Sequence, residues 1–571
     1  MQKRLLALLL VFSFIFSCAP AQALSYADGS LRVYLLSLGD IQSLDFTLEG
    51  SYTINGNPDF RLDSGTRITV SQSQEAQELY LLSGGLSICM GASFSLTRAG
   101  TTDAAMSGAY LSKSEKDTLY PGDFQITAGK KGIEIILTID MEDYLYGVVP
   151  YEMANSFPLE ALKAQAVAAR NYAYRSKLAS QDESYDLVDT TKDQVFKGYD
   201  PENTNAIRAV DETRGVLGCY NGEVVMCWYA ASNGGQTARP EDIWGGEGNY
   251  GYLDLRDDPY DVENPFSVVK TLDIATDGSQ LDKRLTKIFL PQLAEQLAAM
   301  GYSDNESEMQ IVKILRAEGI EPKYENTRMY TKVRFYLTVA GRMLDNSRLP
   351  ASSPAATEAP ADLFASFFNT PSSPVPANTP APTAQLKEGL TVVPVELTAD
   401  ITVYDDLKDG FDMQIISSDY ELVSTVNNTD SIRIEMRRYG HGVGMSQRGA
   451  EWMAGKYNAG YKDILAFYYP GMELVSVQWK EKEPAKLAPL PIAAQPVLPV
   501  LEPGESYAYV QLSSASSTLN VRKEPHTDAD IVGTLSNRSR IIVTSCENGW
   551  AKIRTGELDG YVSMNFIVYD E

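Results

Sequence analysis

The chain has 571 residues, a formal net charge of −26 and only two histidines, His441 and His526. So acidic a protein repels nucleic acid and anionic lipid, which argues against a DNA- or RNA-tracking role, and two imidazoles so far apart in sequence are a poor start for a zinc hydrolase. Five cysteines do not make a disulfide-stapled scaffold, so ordinary apolar cores in more than one domain must hold the chain together.

The first residues, MQKR, an apolar run from Leu5 to Phe16, and Ala21-Gln22-Ala23, predict a secretory signal peptide over 1–23. Its apolar part is too short to span a bilayer. Ile15-Phe16-Ser17-Cys18 offers lipoprotein anchoring through Cys18 as the alternative; either way the mature protein lies outside the cytoplasm, secreted and extracytoplasmic.

A first block, about 24–348, opens with alternating runs LRVYLLSL (31–38), TRITVS (66–71) and ELYLLS (78–83) and reaches GIEIILTID (132–140), which predict antiparallel strands. Helical patterns are read at 279–302 and 308–318. A tract with eight prolines, 350–382, predicts an exposed linker. The second block, 388–480, carries strand-like VVPVELTADITVYD and SIRIEMRRYG and a helix near 446–456. A six-proline tract lies within a second linker, 481–504, and the last block, 505–571, reads as short strands only. Cys219 and Cys227 flank Asn221-Gly222, a hairpin turn signal. That register sets Cys219 opposite Val224 and points the two thiols to opposite faces, so no disulfide is expected there.

In "VVPYEMANSFPLEALKAQAVAARNYAY" (148–174), Pro158 predicts the first turn of a helix running to about Leu178. Leu159, Leu162, Ala166, Ala169 and Ala173 form its buried stripe, with Gln165 at one edge and Lys163 and Arg170 at the other. Alanines on most of its sides imply close approach of backbone or substrate. Glu152 sits in the entry loop among Tyr151, Met153 and Phe157. Local chemistry leaves it open between a solvated loop acid and a carboxyl tuned for proton donation by apolar surroundings.

"DYLYGVVPYEMANSFPLEALKAQAVAARNYAY", "DTTKDQVFKGY" (189–199), "YAASNGGQT" (229–237) and "YGHGVGMSQRGAEWMA" (439–454) followed by "ILAFYYPG" together resemble the stage II sporulation protein D family, which holds peptidoglycan lytic transglycosylases and amidase enhancers. The resemblance implies a family domain over 24–480 with an insertion at about 265–387. It also implies Glu152 as the acid that cleaves the MurNAc–GlcNAc glycosidic bond, leaving 1,6-anhydro-MurNAc ends, on peptidoglycan glycan strands. Around it, Lys163, Gln165, Arg170, Ser232, Gly234, Gly235, His441 and Gln447 are expected as substrate-binding residues. Ser232 with Gly234 and Gly235 reads equally as a plain turn, and a lone histidine such as His441 as site architecture.

Two departures stand out. Ala230 and Ala231 replace a histidine or hydroxyl common in relatives, and Val188 and Asp193 stand where some relatives place zinc-binding cysteines. No metal and no cofactor is therefore expected.

The last block, with "LNVRKEPHTDADIVGTLSNRSRIIV" and "NGWAKIRTGELDGYVSMNFI", resembles a bacterial SH3 domain. The resemblance implies contact with the cell wall, with Trp550 and Tyr561 as candidate ligand contacts. The expected fold class is α+β: a mixed β-rich domain with a buried alanine-rich helix and a helical insertion, plus a small all-β SH3-like barrel. A secreted lytic transglycosylase competes with a noncatalytic enhancer of a cell-wall amidase. A cysteine–histidine peptidase built from Cys219 or Cys227 and His441 lacks any nucleophile motif.

Overall fold

The computed structural model describes residues 27–344, 385–480 and 501–569, apart from short stretches at 74, 100–105, 115–116, 247, 268–269, 414–418, 502–503, 513–516, 538 and 556–557. The expected signal peptide with Cys18 and nearly all of both proline tracts fall outside the described residues. The chain forms two compact units, one of residues up to 227 together with those from 472 onward, the other of residues 228–471.

The first unit opens as two sheets, antiparallel except where Ser30–Tyr34 pairs in parallel with Leu187–Val188. The expected strands are found at Ser30–Tyr34, Arg67–Gln72, Leu79–Ser83 and Ile133–Asp140, each with the every-other-residue burial that their sequences announce. Phe46 of one sheet meets Phe124 of the other edge-on, ring centroids 5.5 Å apart. The apolar run after Tyr34 does not continue as strand, because Leu36–Leu38 turns as a 3-10 helix that ends at Gly39 with φ 66°.

The strand Ile133–Asp140 feeds three helices in succession: α1 (Met141–Tyr146), α2 (Val149–Glu152) and α3 (Leu159–Ala179), Pro158 standing at the N-cap of α3. From Ala161 to Asn171 nearly every residue of α3 is buried, and its small side chains let the backbone of Val216–Tyr220 lie close. Asn171 fixes that approach: its Nδ2 donates to the carbonyls of Gly218 and Val225, and its Oδ1 accepts from Gly218 N–H. Helix α4 (Thr204–Glu212) packs beside α3.

The hairpin at Asn221-Gly222 has φ of 53° and 82° at those residues and sets Cys219 opposite Val224, as the turn chemistry predicts. Both cysteines are free thiols, raised in pKa by burial. After the second unit the chain returns with Glu473–Ser476, which pairs with Val216–Cys219.

Residues 506–569 form seven strands over a core of Ala508, Val510, Val521, Ala551, Ile553 and Val562. This all-β region and the mixed units before it make the protein α+β.

In the second unit, two short helices, α5 (Pro240–Trp244) and α6 (Pro259–Glu263), precede α7 (Lys283–Ala299). Helix α7 buries Leu285, Phe289, Leu293 and Leu297 at four-residue spacing. The helix expected at 308–318 is instead the strand Met309–Pro322, paired antiparallel with Met329–Gly341. Bulges between Ile311 and Lys313 and between Ile314 and Arg316 each insert a residue, so the buried positions Met309, Ile311, Ile314 and Ala317 fall at spacings that mimic a helix. The described residues of 265–387, expected as a helical insertion, thus include α7, the strand Lys270–Ala275 and one long hairpin whose second strand also pairs with Leu397–Thr402.

Candidate functional site

The first two family-like motifs build one cluster within the first unit. Glu152 is the last residue of α2, and its Oε1 accepts a hydrogen bond from Val195 N–H at 3.3 Å. Val195 belongs to the second motif, whose Phe196 stacks on Tyr144 of α1 with centroids 5.1 Å apart. A Cβ at Gly147 would lie 2.5 Å from Phe196, so glycine lets the two segments close together.

Met153 beside Glu152 is buried. Tyr144 and Tyr172 both have raised phenol pKa values, mainly from burial, then from the charge of Asp193, with Glu152 adding to it. Asp193 accepts hydrogen bonds from Tyr172 Oη (3.2 Å) and Val188 N–H (2.8 Å). Val188 and Asp193 are thereby joined to each other. Among the described residues no group of three or more His, Cys, Asp or Glu is placed to hold a metal ion.

The three α3 residues expected to face substrate turn into the protein instead. Lys163 lies 2.6 Å from both Glu160 and Glu212, Gln165 is fully buried, and Arg170 is buried in an ion pair with Glu142 at 2.6 Å. The stripe they flank is wider than a heptad count suggests, because α4 and the Val216–Tyr220 strand cover its flanks. Lys163 keeps partial exposure, whereas Gln165 and Arg170 are enclosed by these segments.

The third and fourth motifs interleave within the second unit. Ser232 and Tyr439 exchange backbone hydrogen bonds, Tyr229-Ala230 pairs in parallel with Met445-Ser446, and Ala238 N–H donates to Gly442 C=O. Glycines make this possible. A Cβ at Gly444 (φ 73°) would sit 2.1 Å from Trp228 O, and one at Gly235 (φ 102°) 2.4 Å from Val262. Gly234, at φ 76°, donates its N–H to Ser232 Oγ.

Two carboxylates that sequence reasoning passed over, Asp258 and Asp261, organise these loops. Asp258 caps α6 by accepting from Tyr260 and Asp261 N–H, and also accepts from Asn233 Nδ2 (2.8 Å) and Tyr468 Oη (2.7 Å). Asp261 accepts from Ser232 Oγ, Asn233 N–H and Ser446 Oγ. Burial pushes both carboxyls up, Asp258 further through the charge of Asp261. The visible signal was Asp258-Pro259, an N-cap followed by proline at the first helical position.

Gln447 opens α8 (Gln447–Tyr457) behind the cap Ser446, whose Oγ accepts from Gly449 N–H. It is buried, as is Ser232. His441 Nδ1 accepts from Val443 N–H at 3.0 Å. Burial, with the Arg438 charge adding to it, pushes its pKa down to about 4. With Nδ1 accepting, the neutral ring carries its one proton on Nε2.

These arrangements define a protein in which two family-like motifs are joined within the first unit and two within the second, with an all-β module at residues 506–569. Residues 129–220 match the family described as Stage II sporulation protein, and residues 517–568 match the bacterial SH3 domain. The chain carries a stage II sporulation protein D-type domain and a bacterial SH3 domain.

Stage II sporulation protein D of Bacillus subtilis is 23% identical over 373 residues, covering 63% of this chain and 81% of that protein. The amidase enhancer of Bacillus subtilis is 28% identical over 332 residues, covering 58% of this chain and 40% of the enhancer. An uncharacterized protein of Brachyspira hyodysenteriae is 40% identical over 112 residues, 19% of this chain and 30% of its own length. This chain thus spans well under two thirds of two of these relatives.

Proposed function

We propose that the protein is a secreted peptidoglycan lytic transglycosylase whose catalytic acid is Glu152. The observation that supports this reading is the placing of Glu152: one carboxyl at the end of a short helix, oriented by Val195 N–H. The protonated carboxyl donates to the glycosidic oxygen between MurNAc and GlcNAc, the C1–O bond breaks, and positive charge develops at C1 of MurNAc. The MurNAc 6-hydroxyl then attacks C1 and returns its proton to the Glu152 carboxylate, closing the 1,6-anhydro ring. No water is consumed, so no second carboxylate is required to activate one.

The reading also holds the protein at the cell wall outside the cytoplasm, with the SH3 domain contacting the wall. No helix among the described residues is long and apolar enough to cross a membrane.

A second reading, a noncatalytic enhancer of a cell-wall amidase, is favoured by the likeness to the Bacillus subtilis amidase enhancer over 58% of this chain. Purified wild-type protein and Glu152→Gln, each incubated with cell walls alone and with a purified N-acetylmuramoyl-L-alanine amidase, separate the two. Glycan cleavage without amidase, lost in the variant, supports the first. Stimulation of the amidase that is equal in both proteins, with no cleavage by either alone, supports the second.

A further inference from the structure

The consecutive residues Asp193 to Lys197 of the second motif are each tied to the helices around Glu152 or to the segments beside them. Asp193 accepts from Tyr172 Oη of α3 at 3.2 Å and from Val188 N–H at 2.8 Å. Gln194 Nε2 donates to Ala169 C=O of α3 at 3.3 Å, and its Oε1 accepts from Tyr144 Oη of α1, also at 3.3 Å. Val195 N–H donates to Glu152 Oε1 at the end of α2, Phe196 stacks on Tyr144, and Lys197 N–H donates to Gly147 C=O at 3.1 Å.

The N–H that meets Glu152 belongs to the peptide unit joining Gln194 to Val195, a rigid plane whose direction the Gln194 backbone sets. The Gln194 side chain is fully buried. A methionine would fill the same space, but only an amide offers a donor and an acceptor at one end, and here one bonds α3 and the other α1. With its end fixed to two helices, the residue has little freedom to swing the peptide unit it carries.

That direction decides which oxygen of the acid holds the proton. In a protonated carboxyl one oxygen carries the hydrogen and the other accepts. A backbone N–H can only donate, so Oε1, which meets Val195, is the accepting oxygen and the proton belongs to Oε2.

We propose that Gln194 is a positioning residue for proton transfer: by aiming the Val195 N–H at Oε1 it keeps the Glu152 proton on Oε2 and fixes the direction in which it is delivered. Oε2 then gives that proton to the glycosidic oxygen and takes back the one from the 6-hydroxyl. This use of the proton rests on the transglycosylase reading above; the holding of Glu152 does not.

The test uses full-length Gln194→Met, which keeps the length of the side chain and loses both bonds, and Tyr144→Phe, which keeps the ring on Phe196 and loses the hydroxyl that holds Gln194. Two quantities are measured: turnover of peptide-free glycan strands, and amide hydrogen exchange at Val195 and Gly218 by fragmentation mass spectrometry, with Glu152→Ala as the reference for a Val195 amide that has lost its acceptor. In Gln194→Met, kcat should fall roughly tenfold to a hundredfold, the scale of a misplacement of about 1 Å, with KM unchanged. Val195 exchange should rise about tenfold, the loss of one hydrogen bond, while Gly218 N–H, held by Asn171, exchanges as in wild type. Tyr144→Phe should move kcat and Val195 exchange in the same directions by less.

A raised KM with unchanged kcat overturns the proposal, as does a Val195 exchange that stays at the wild-type rate in both variants, whatever happens to turnover. If Gly218 exchange rises along with Val195 in Gln194→Met, that variant has lost its fold and Tyr144→Phe decides on the same two quantities. If wild-type protein cleaves no glycan but Val195 exchange rises in both variants, the holding of Glu152 by Gln194 stands and the catalytic reading falls.

Discussion

Arg170 and Glu142 form an ion pair with side chains 0% and 3% exposed. Burial alone would raise the Glu142 pKa, but the Arg170 guanidinium, with Trp479 Nε1–H and Gly215 N–H, outweighs it and holds the carboxyl below its ordinary range. Arg170→Ala leaves that carboxylate buried with its cation removed, which costs about 3–5 kcal/mol; a drop of that size in unfolding free energy by denaturant titration is expected. Because the folded pKa is depressed, the pair's stabilisation is present above the ordinary glutamate pKa and is lost as pH falls through the folded value. The wild-type advantage over Arg170→Ala should therefore shrink in acid, and an advantage constant from pH 7 to pH 3 would contradict the assignment.

Asp258 behaves oppositely. Its pKa is raised, so its contribution to stability is present in acid and lost as pH rises through the folded value. Tyr468→Phe removes a donor that favours the ionised form. It should cost about 1–3 kcal/mol and cost more at pH 8 than at pH 5, as thermal unfolding at the two pH values would show.

At the level of elements, the second unit's site depends on backbone passing where no side chain fits. Gly444→Ala drives a Cβ to 2.1 Å from Trp228 O at a left-handed φ. It should unfold the interleaved loops, whereas Gly222→Ala, at φ 82° with nothing within 4 Å, should cost only about 1 kcal/mol. Comparable melting temperatures for the two variants would refute this reading.

What the sequence made legible follows the same logic. Alternating strands and α3 were readable because a single period governs each, and the Cys219–Val224 register followed from its turn. The strand Met309–Pro322 was misread because two bulges broke its period into helix-like spacing. Lys163, Gln165 and Arg170 were read at the edges of the buried stripe, and nothing in α3 itself reveals that the Val216–Tyr220 strand and α4 pack beside them. Asp258 and Asp261 were missed for a related reason: their importance comes from donors on Asn233, Ser446 and Tyr468, which only the folded loops assemble.

For the whole molecule, the SH3 domain is expected to act through local concentration on an insoluble polymer, without touching the chemical step. Deleting 505–571 should reduce pelleting with cell walls and spare cleavage of short soluble glycan strands; equal pelleting by both proteins would remove the anchoring role. Activity should also survive EDTA, since Val188 and Asp193 supply no thiol; inhibition reversed by added zinc would show a metal requirement.

The central claim is that Glu152 drives glycan cleavage without water, and mass spectrometry of peptidoglycan digested in ¹⁸O-labelled water tests it most directly. Wild-type protein should release 1,6-anhydro-MurNAc ends free of ¹⁸O, and folded Glu152→Gln should release them roughly a thousandfold more slowly, within the range for losing one general acid. Reducing ends carrying ¹⁸O, or undiminished release by Glu152→Gln, would contradict the account.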